Sequence, residues 1–307
     1  MLNILNKRYY FFAFSLLLIL PGLIIMAVYG IPLAIDFTGG SLLEVQFSDG
    51  KAPQPSALYN LYNELGYTDT QVLTTGDNTR MVRSTFLDET ERVSIVAKIN
   101  ETFSDTVTVL RAESVGPTIG AEVTNRAGLA IAVAALGVII YITFAFRGVP
   151  HAIRYGICAI IAMVHDGFVV LSLSAIGGHF LGWQIDSLFL TALLTVIGFS
   201  VQDKIVVFDR IRENTGIFRK LPFEKLANHS IVQTLQRSIN TQLMTSEFLL
   251  LSLALMGGVT LQEFAIILMV GLLMGTYSSI FIAAPLLVVW ENKEWKNWFN
   301  RSTPSAA

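Results

Sequence analysis

Cysteine is nearly absent. Cys158 is the only one in 307 residues and lies in an apolar run, so no disulfide framework or CxxC redox pair can form. Histidine is scarce and scattered, four in all. Charge is thin: 14% of residues are Asp, Glu, Lys or Arg, against about 25% in a soluble domain. The net charge of -2 at pH 7 gives no support for binding nucleic acid. Dinucleotide-binding, P-loop, HExxH and GxSxG patterns are all missing. The chain is therefore read as no enzyme, with no catalytic residue, cofactor or metal expected. What is abundant is apolar sequence, 53% of the chain with a mean hydropathy of +0.58. That composition predicts an integral membrane protein.

Six stretches approach the ~20 apolar residues a spanning helix needs: about 11–29, 124–146, 153–176, 185–208, 242–260 and 263–290. Lys7 and Arg8 precede the first, and Arg147 and Arg154 bracket the turn between the second and third. Arg210, Arg212, Arg219, Lys220, Lys225 and Arg237 follow the fourth, and Lys293, Lys296 and Arg301 follow the last. The turns near 177–184 and 257–262 hold neither Lys nor Arg. Positive residues stay inside, so both termini are expected in the cytoplasm. The first run is read as an uncleaved anchor, because "MAVYG" is a poor small-x-small cleavage site.

Between the first two spans lie roughly 90 more polar residues. Leu42, Val45 and Phe47 have a strand-like setting, and Leu58, Leu61, Tyr62 and Leu65 recur at helical spacing before Gly66. "GDN" between "TQVLTT" and "TRMVRSTF" predicts a hairpin. Asp88 and Glu91 have capping-box spacing ahead of Val93, Val96 and Ile99, and "TVTVLRAESV" closes the region as a strand. The order β-α-β-β-α-β predicts a small ferredoxin-like α+β head outside the membrane. The expected organisation is a tail and first helix (1–35), head (36–120), and transmembrane helices 2–6 (121–292). A cytoplasmic loop at about 209–241 and a cytoplasmic tail (293–307) complete it.

Asp203 and Lys204 interrupt the inner end of the fourth span, in "IGFSVQDKIVVFDRIREN". An ionised group in hydrocarbon costs roughly 3 kcal/mol or more. Asp203 lies about five residues, or roughly 7 Å, inside the span end. Desolvation there disfavours the anion, which makes reversible protonation plausible. Arg237 precedes the fifth span by a similar number of residues and can sit at matching depth. A static ion pair, or an Asp facing an aqueous vestibule, would read the same way from sequence. Lys204 points about 100° away from Asp203, and its long stem is expected to snorkel to the interface. Asp166, after His165, lies mid-span in "AMVHDGFVV" and is a secondary candidate, an interhelical hydrogen bond being the alternative. Ser200, Gln202 and Thr195 could relay protons or simply pack. Gly271 and Gly275 form a GxxxG for close helix packing. Asp36, Gly39 and Gly40 form a turn into the first strand, structural or hinge-like. "DRIREN" is read as a positive-inside anchor.

Several of these motifs resemble those of the SecF family of the bacterial Sec translocase: "IDFTGGSLLEV", "SVGPTIGAEV", "HDGFVV", "SVQDKIVVFDRIREN", "QTLQRSINT" and "GTYSSIFIAAP". They match in order and spacing over nearly the whole chain. The family more often has Thr at 204 and Asn at 202, so this chain departs from it there. The related SecD subunit usually has a larger outer region, so length favours SecF. The resemblance implies a proton-driven machine of the resistance-nodulation-division superfamily in the bacterial cell membrane. It implies partnership with SecD and the SecYEG channel, alongside SecA-driven export and YajC, acting on an unfolded polypeptide in transit. It implies proton-pathway roles for Asp203, Arg237 and, secondarily, Asp166; a carboxylate could equally serve sodium. Two other classes compete: a self-contained proton-coupled exporter of small molecules or lipids, and a non-conducting scaffold. Exporters of this superfamily typically carry larger paired outer domains and about twelve spans, and a scaffold should tolerate Asn at 203.

Overall fold

The chain divides into two units, one of Pro32–Ala130 with Gln184–Ser187, the other of Met1–Ile31, Ile131–Trp183 and Leu188–Ala307. The structure is a computed structural model that describes residues 3–48, 52–147, 151–242, 248–256 and 259–295.

In the first unit, strands β1 (Gly40–Gln46), β2 (Gln71–Gly76), β3 (Thr79–Ser84) and β4 (Thr108–Val115) form one sheet in the order β2-β3-β1-β4. Every neighbouring pair is antiparallel. The short helix α2 (Ile35–Thr38) precedes β1, and helices α3 (Pro55–Glu64) and α4 (Glu89–Phe103) complete the β-α-β-β-α-β order. Leu43, Val45 and Phe47 pack with Val82 against Leu58, Leu61 and Tyr62 of α3 and Ile95 and Ile99 of α4. The period of two thus puts Leu43, not Leu42, on the helix-covered face; Leu42 is buried on the other. In α4 the core face is Ile95 and Ile99, one turn apart, while Val93 is exposed. Leu65 of the expected apolar stripe is exposed as well. The capping box forms as its spacing requires: Asp88 Oδ1 accepts from Glu91 N at 2.7 Å and Asp88 N donates to Glu91 Oε2 at 2.9 Å. Asp77 and Asn78 turn β2 into β3, and Phe47 N donates to Asn78 O at 2.8 Å.

The second unit is helical. Among the described residues, five helical stretches are long and apolar enough to cross a membrane: Leu5–Tyr29, Pro117–Ala145, Ala152–Leu181, Ser187–Ile217 and Leu261–Glu291. The named helices in them are α1 (Arg8–Tyr29), α5 (Pro117–Ala145), α6 (Ala152–Leu181), α7 (Ser187–Ile217), α10 (Val259–Ser278) and α11 (Ala284–Glu291). A π-turn, Ser279–Ala283, joins α10 to α11. Pro285 has no N–H to give the Phe281 carbonyl, which favours the wider i→i+5 pattern. The expected fifth span, 242–260, falls partly outside the described residues; α9 (Phe248–Met256) is its described apolar part. The stretch 209–241, expected as a loop, is mostly helix. Here α7 runs on to Ile217, and α8 covers Phe223–Gln242. Its charges pair locally, Arg210 with Glu213 and Arg212 with Asp209, and Asn214 Nδ2 donates to Ser230 Oγ of α8 at 2.8 Å.

Helix α6 is the core of this unit. Cys158, Ala159, Ala162 and Val170 are completely buried along it, and Ser172 Oγ donates to Leu18 O of α1 at 2.8 Å. Around the start of α1, Arg8 bonds Glu294 at 2.7 Å and Glu224 of α8 at 3.0 Å, while Arg154 bonds Glu291 at 2.6 Å. Burial pushes the Glu294 carboxyl up, but hydrogen bonds from Tyr9, Asn292 and Arg8 outweigh it and hold the group below its usual range.

Candidate functional site

The site lies where α6, α7 and α10 meet. Small residues make that approach possible. A Cβ on Gly271 of α10 would overlap Val196 of α7, and one on Gly275 would stand 3.2 Å from Ser200 Cβ. The GxxxG pair therefore seats α10 directly on the face of α7 that carries the polar residues.

Asp203 of α7 is half-buried, and its Oδ2 accepts a hydrogen bond from Thr276 Oγ1 of α10 at 2.6 Å. Thr276 also lies 3.3 Å from Gln242 Oε1 at the end of α8. Arg237 of α8 is exposed, and among the described residues no hydrogen bond or ion pair engages its guanidinium. The expected ion pair between Asp203 and Arg237 is not formed.

One residue along α7 the picture changes. Lys204 does not snorkel to an interface: its side chain is completely buried, and Nζ donates to Asp166 Oδ2 of α6 at 2.7 Å and to Ser278 Oγ of α10 at 2.9 Å. It also bonds Ser200 Oγ, with the Ser200 carbonyl at 3.3 Å. The 100° step between helical neighbours turns Lys204 toward α6 while Asp203 faces α10. A buried carboxylate and two hydroxyls then replace the water that snorkelling would have supplied. Asp166 is completely buried too. Its Oδ2 accepts from Ser200 Oγ, Lys204 Nζ and Ser278 Oγ, the last at 2.7 Å, and its Oδ1 lies 3.0 Å from His165 Nδ1. Three donors thus converge on Oδ2, and Oδ1 faces the imidazole.

Of the relay candidates, Ser200 joins this network. Gln202 is exposed, and Thr195 spends its hydroxyl on the Thr191 carbonyl of its own helix. Thr276 and Ser278, which contact the two carboxylates, were not singled out as partners from sequence. Their one trace there is the polar, small-residue run "GTYSS", which reads equally well as packing.

Asp36, Gly39 and Gly40 belong to the other unit. Asp36 Oδ2 accepts from Ser187 N at 3.0 Å and from the Ser187 hydroxyl. Gly39 and Gly40 have φ of 73° and 126°, which favours glycine, and a Cβ on Gly40 would come 2.8 Å from Ser84 O. A Cβ on Gly120 would come 2.7 Å from Gly39 N, so backbone packs directly on backbone here. Among the described residues, no group of three or more His, Cys, Asp or Glu is placed to hold a metal ion.

Comparison with known proteins agrees with this architecture. Residues 95–293 match the family described as protein export membrane protein SecD/SecF, C-terminal, and residues 24–51 match the SecD/SecF GG motif. The latter segment contains Gly39 and Gly40. The protein translocase subunit SecF of Anaerolinea thermophila is 68% identical over 307 residues, covering all of both chains. That of Thermobaculum terrenum is 44% identical over all of this chain and 99% of its own. A crystal structure of SecDF, a translocon-associated membrane protein from Thermus thermophilus, superposes with a TM-score of 0.81 at 31% identity. The match covers 95% of this chain but 39% of that one, so the chain spans about two fifths of the SecDF protein. This multi-pass membrane protein belongs to the SecF family of protein translocase subunits.

Proposed function

We infer that this chain is the proton-coupled part of a protein-export translocase, and that Asp203 is the group that takes up and releases the proton. One observation carries this reading: a half-buried carboxylate in a membrane-spanning helix is held by the neutral Thr276 hydroxyl, with no ion pair to Arg237 among the described residues. A carboxylate so placed has no fixed charge partner and can exist in either state. When Asp203 is ionised, it accepts from Thr276 and attracts Arg237. When it is protonated, that attraction is gone. Proton binding is thereby converted into a changed force between α7, α10 and α8. Asp166 has a secondary part: through Lys204, whose charge also reaches Asp203, it sets the electrostatic background against which Asp203 works.

The family membership favours SecD as the working partner, since the longer SecDF protein unites a matching region, 39% of its length, with further sequence. We extend the reading to the SecYEG channel, SecA-driven export and YajC as neighbours, and to an unfolded polypeptide as cargo. We read 242–260, with the apolar α9, as a sixth crossing, which would leave both termini on the cytoplasmic side, in keeping with the distribution of Lys and Arg. The β-α-β-β-α-β head then stands outside the membrane, ferredoxin-like, as a contact surface for the emerging chain.

The test is release of a secreted protein from membrane vesicles under a proton gradient. Asp203→Asn is expected to abolish the gradient-stimulated release while SecD still co-purifies. Arg237→Leu should fail as well. Rescue by Arg237→Lys would show that charge, not guanidinium geometry, is what matters. Wild-type release by Asp203→Asn would overturn the assignment, and stimulation by a sodium gradient alone would replace the proton with sodium.

A further inference from the structure

The Lys204 ammonium is enclosed by oxygen. Around Nζ stand Asp166 Oδ2 at 2.7 Å, Ser278 Oγ at 2.9 Å, the Ser200 carbonyl at 3.3 Å and the Ser200 hydroxyl. They come from three different helices, α6, α7 and α10, and Asp166, Ser200, Lys204 and Ser278 are all essentially inaccessible to solvent. One carboxylate, two hydroxyls and one carbonyl make a hard-oxygen donor set, the kind that suits a metal cation of the alkali or alkaline-earth series. A single carboxylate matches a single positive charge.

We propose that this centre is a monovalent-cation site whose permanent occupant is the chain's own lysine. The Lys204 stem delivers a tethered ammonium to a position that a free alkali-metal ion would otherwise fill. Three N–H bonds are what an ammonium has to give, and Asp166, Ser278 and Ser200 take them. The site is therefore closed to inorganic ions in the native chain, and a transported ion has to bind elsewhere. Removing the tether should convert the centre into a site for sodium or potassium. The inference goes beyond the assignment of Asp203, which is not among the enclosing groups.

Replacing Lys204 with Thr shortens the side chain, removes the ammonium and leaves the oxygen donors of Asp166, Ser200 and Ser278. The purified subunit is melted in choline chloride, sodium chloride and potassium chloride at equal ionic strength. The native protein is expected to melt at the same temperature in all three. Lys204→Thr is expected to gain roughly 2 °C or more in the sodium or potassium salt, as for a ligand present at about ten times its Kd. The gain should vanish in Asp166→Asn/Lys204→Thr and persist in Asp203→Asn/Lys204→Thr, which separates this site from the proton carrier. Equal melting of Lys204→Thr in all three salts, or an alkali-specific shift in the native chain, overturns the proposal. Should Lys204→Thr not assemble, the neutral pair is decisive: Asp166→Asn/Lys204→Met has to melt higher than Lys204→Met alone. A double variant no more stable than the single one shows that the ammonium is not the partner of Asp166, and the proposal fails.

Discussion

Two carboxylates in the helical unit are treated in opposite ways. Asp166 is completely buried; its Oδ2 meets three donors, one of them a full positive charge, and its Oδ1 faces His165 Nδ1. Asp203 is half-buried, takes one hydroxyl from Thr276, and has its nearby cation on an exposed stretch of α8. Coulomb attraction at contact in a poorly polarisable interior is far stronger than at a distance across a wetter region. A fully matched carboxylate is thereby locked in one state, and an incompletely matched one stays free to change. Under the proposed function, ion coupling depends on what is withheld from an acid as much as on what surrounds it.

Neutralising each acid in turn should break the comparison most sharply. Asp166→Asn leaves Lys204 without its charge partner inside the bundle, and loss of one member of a buried pair typically costs about 3–5 kcal/mol. Thermal melting of the purified subunit should show a large drop. The same change at Asp203 exchanges one hydrogen-bond acceptor for another and should alter melting by less than ~1 kcal/mol. If both substitutions are equally damaging, the distinction between a locked and a free carboxylate is wrong.

Next in size is the packing that brings the two centres together. Gly271→Val drives methyl groups into Val196 of α7, and overpacking of this kind costs about 1–3 kcal/mol. Gly275→Ala sets its Cβ 3.2 Å from Ser200 Cβ, tight but short of the overlap at Gly271, and should be milder. A melt that ranks the two in the reverse order would show that α10 does not sit on α7 as described.

The smallest effect belongs to the other unit, where no such contrast operates. Hydrogen bonds from Thr90 and the Glu91 backbone hold the Asp88 carboxyl below its ordinary value of 3.8. Because the folded state lowers this group, its stabilisation is complete above that value and is lost as the pH falls through the lowered one. Asp88→Ala should therefore destabilise the head slightly at neutral pH, by loss of a cap. The difference from wild type should shrink progressively in acid. A difference that grows in acid would contradict the sign.

How much of this is written in the sequence depends on how local the cause is. The capping box is a spacing of three residues, the hairpin is "GDN" between two strand-like runs, and the long apolar runs declare themselves by length. The strand is legible but its covered face is not: Leu42 and Leu43 are both apolar, and only the covering helices decide between them. Lys204 is the main failure. Its long stem favoured an interface, and nothing local announces that Asp166, 38 residues earlier, and Ser278, 74 residues later, would surround its ammonium. Thr276 was missed for the same reason: a hydroxyl becomes a partner only through the helix packing that Gly271 and Gly275 allow. For Arg237, counting from span ends gives depth but not direction.

Infrared difference spectroscopy of the purified protein across a pH titration tests the central claim most directly. A carboxyl band that appears as the pH is lowered, is present in the native chain and is missing in Asp203→Asn is what a proton-carrying Asp203 produces. A titrating band that survives Asp203→Asn unchanged, or no such band in the native chain, would contradict it.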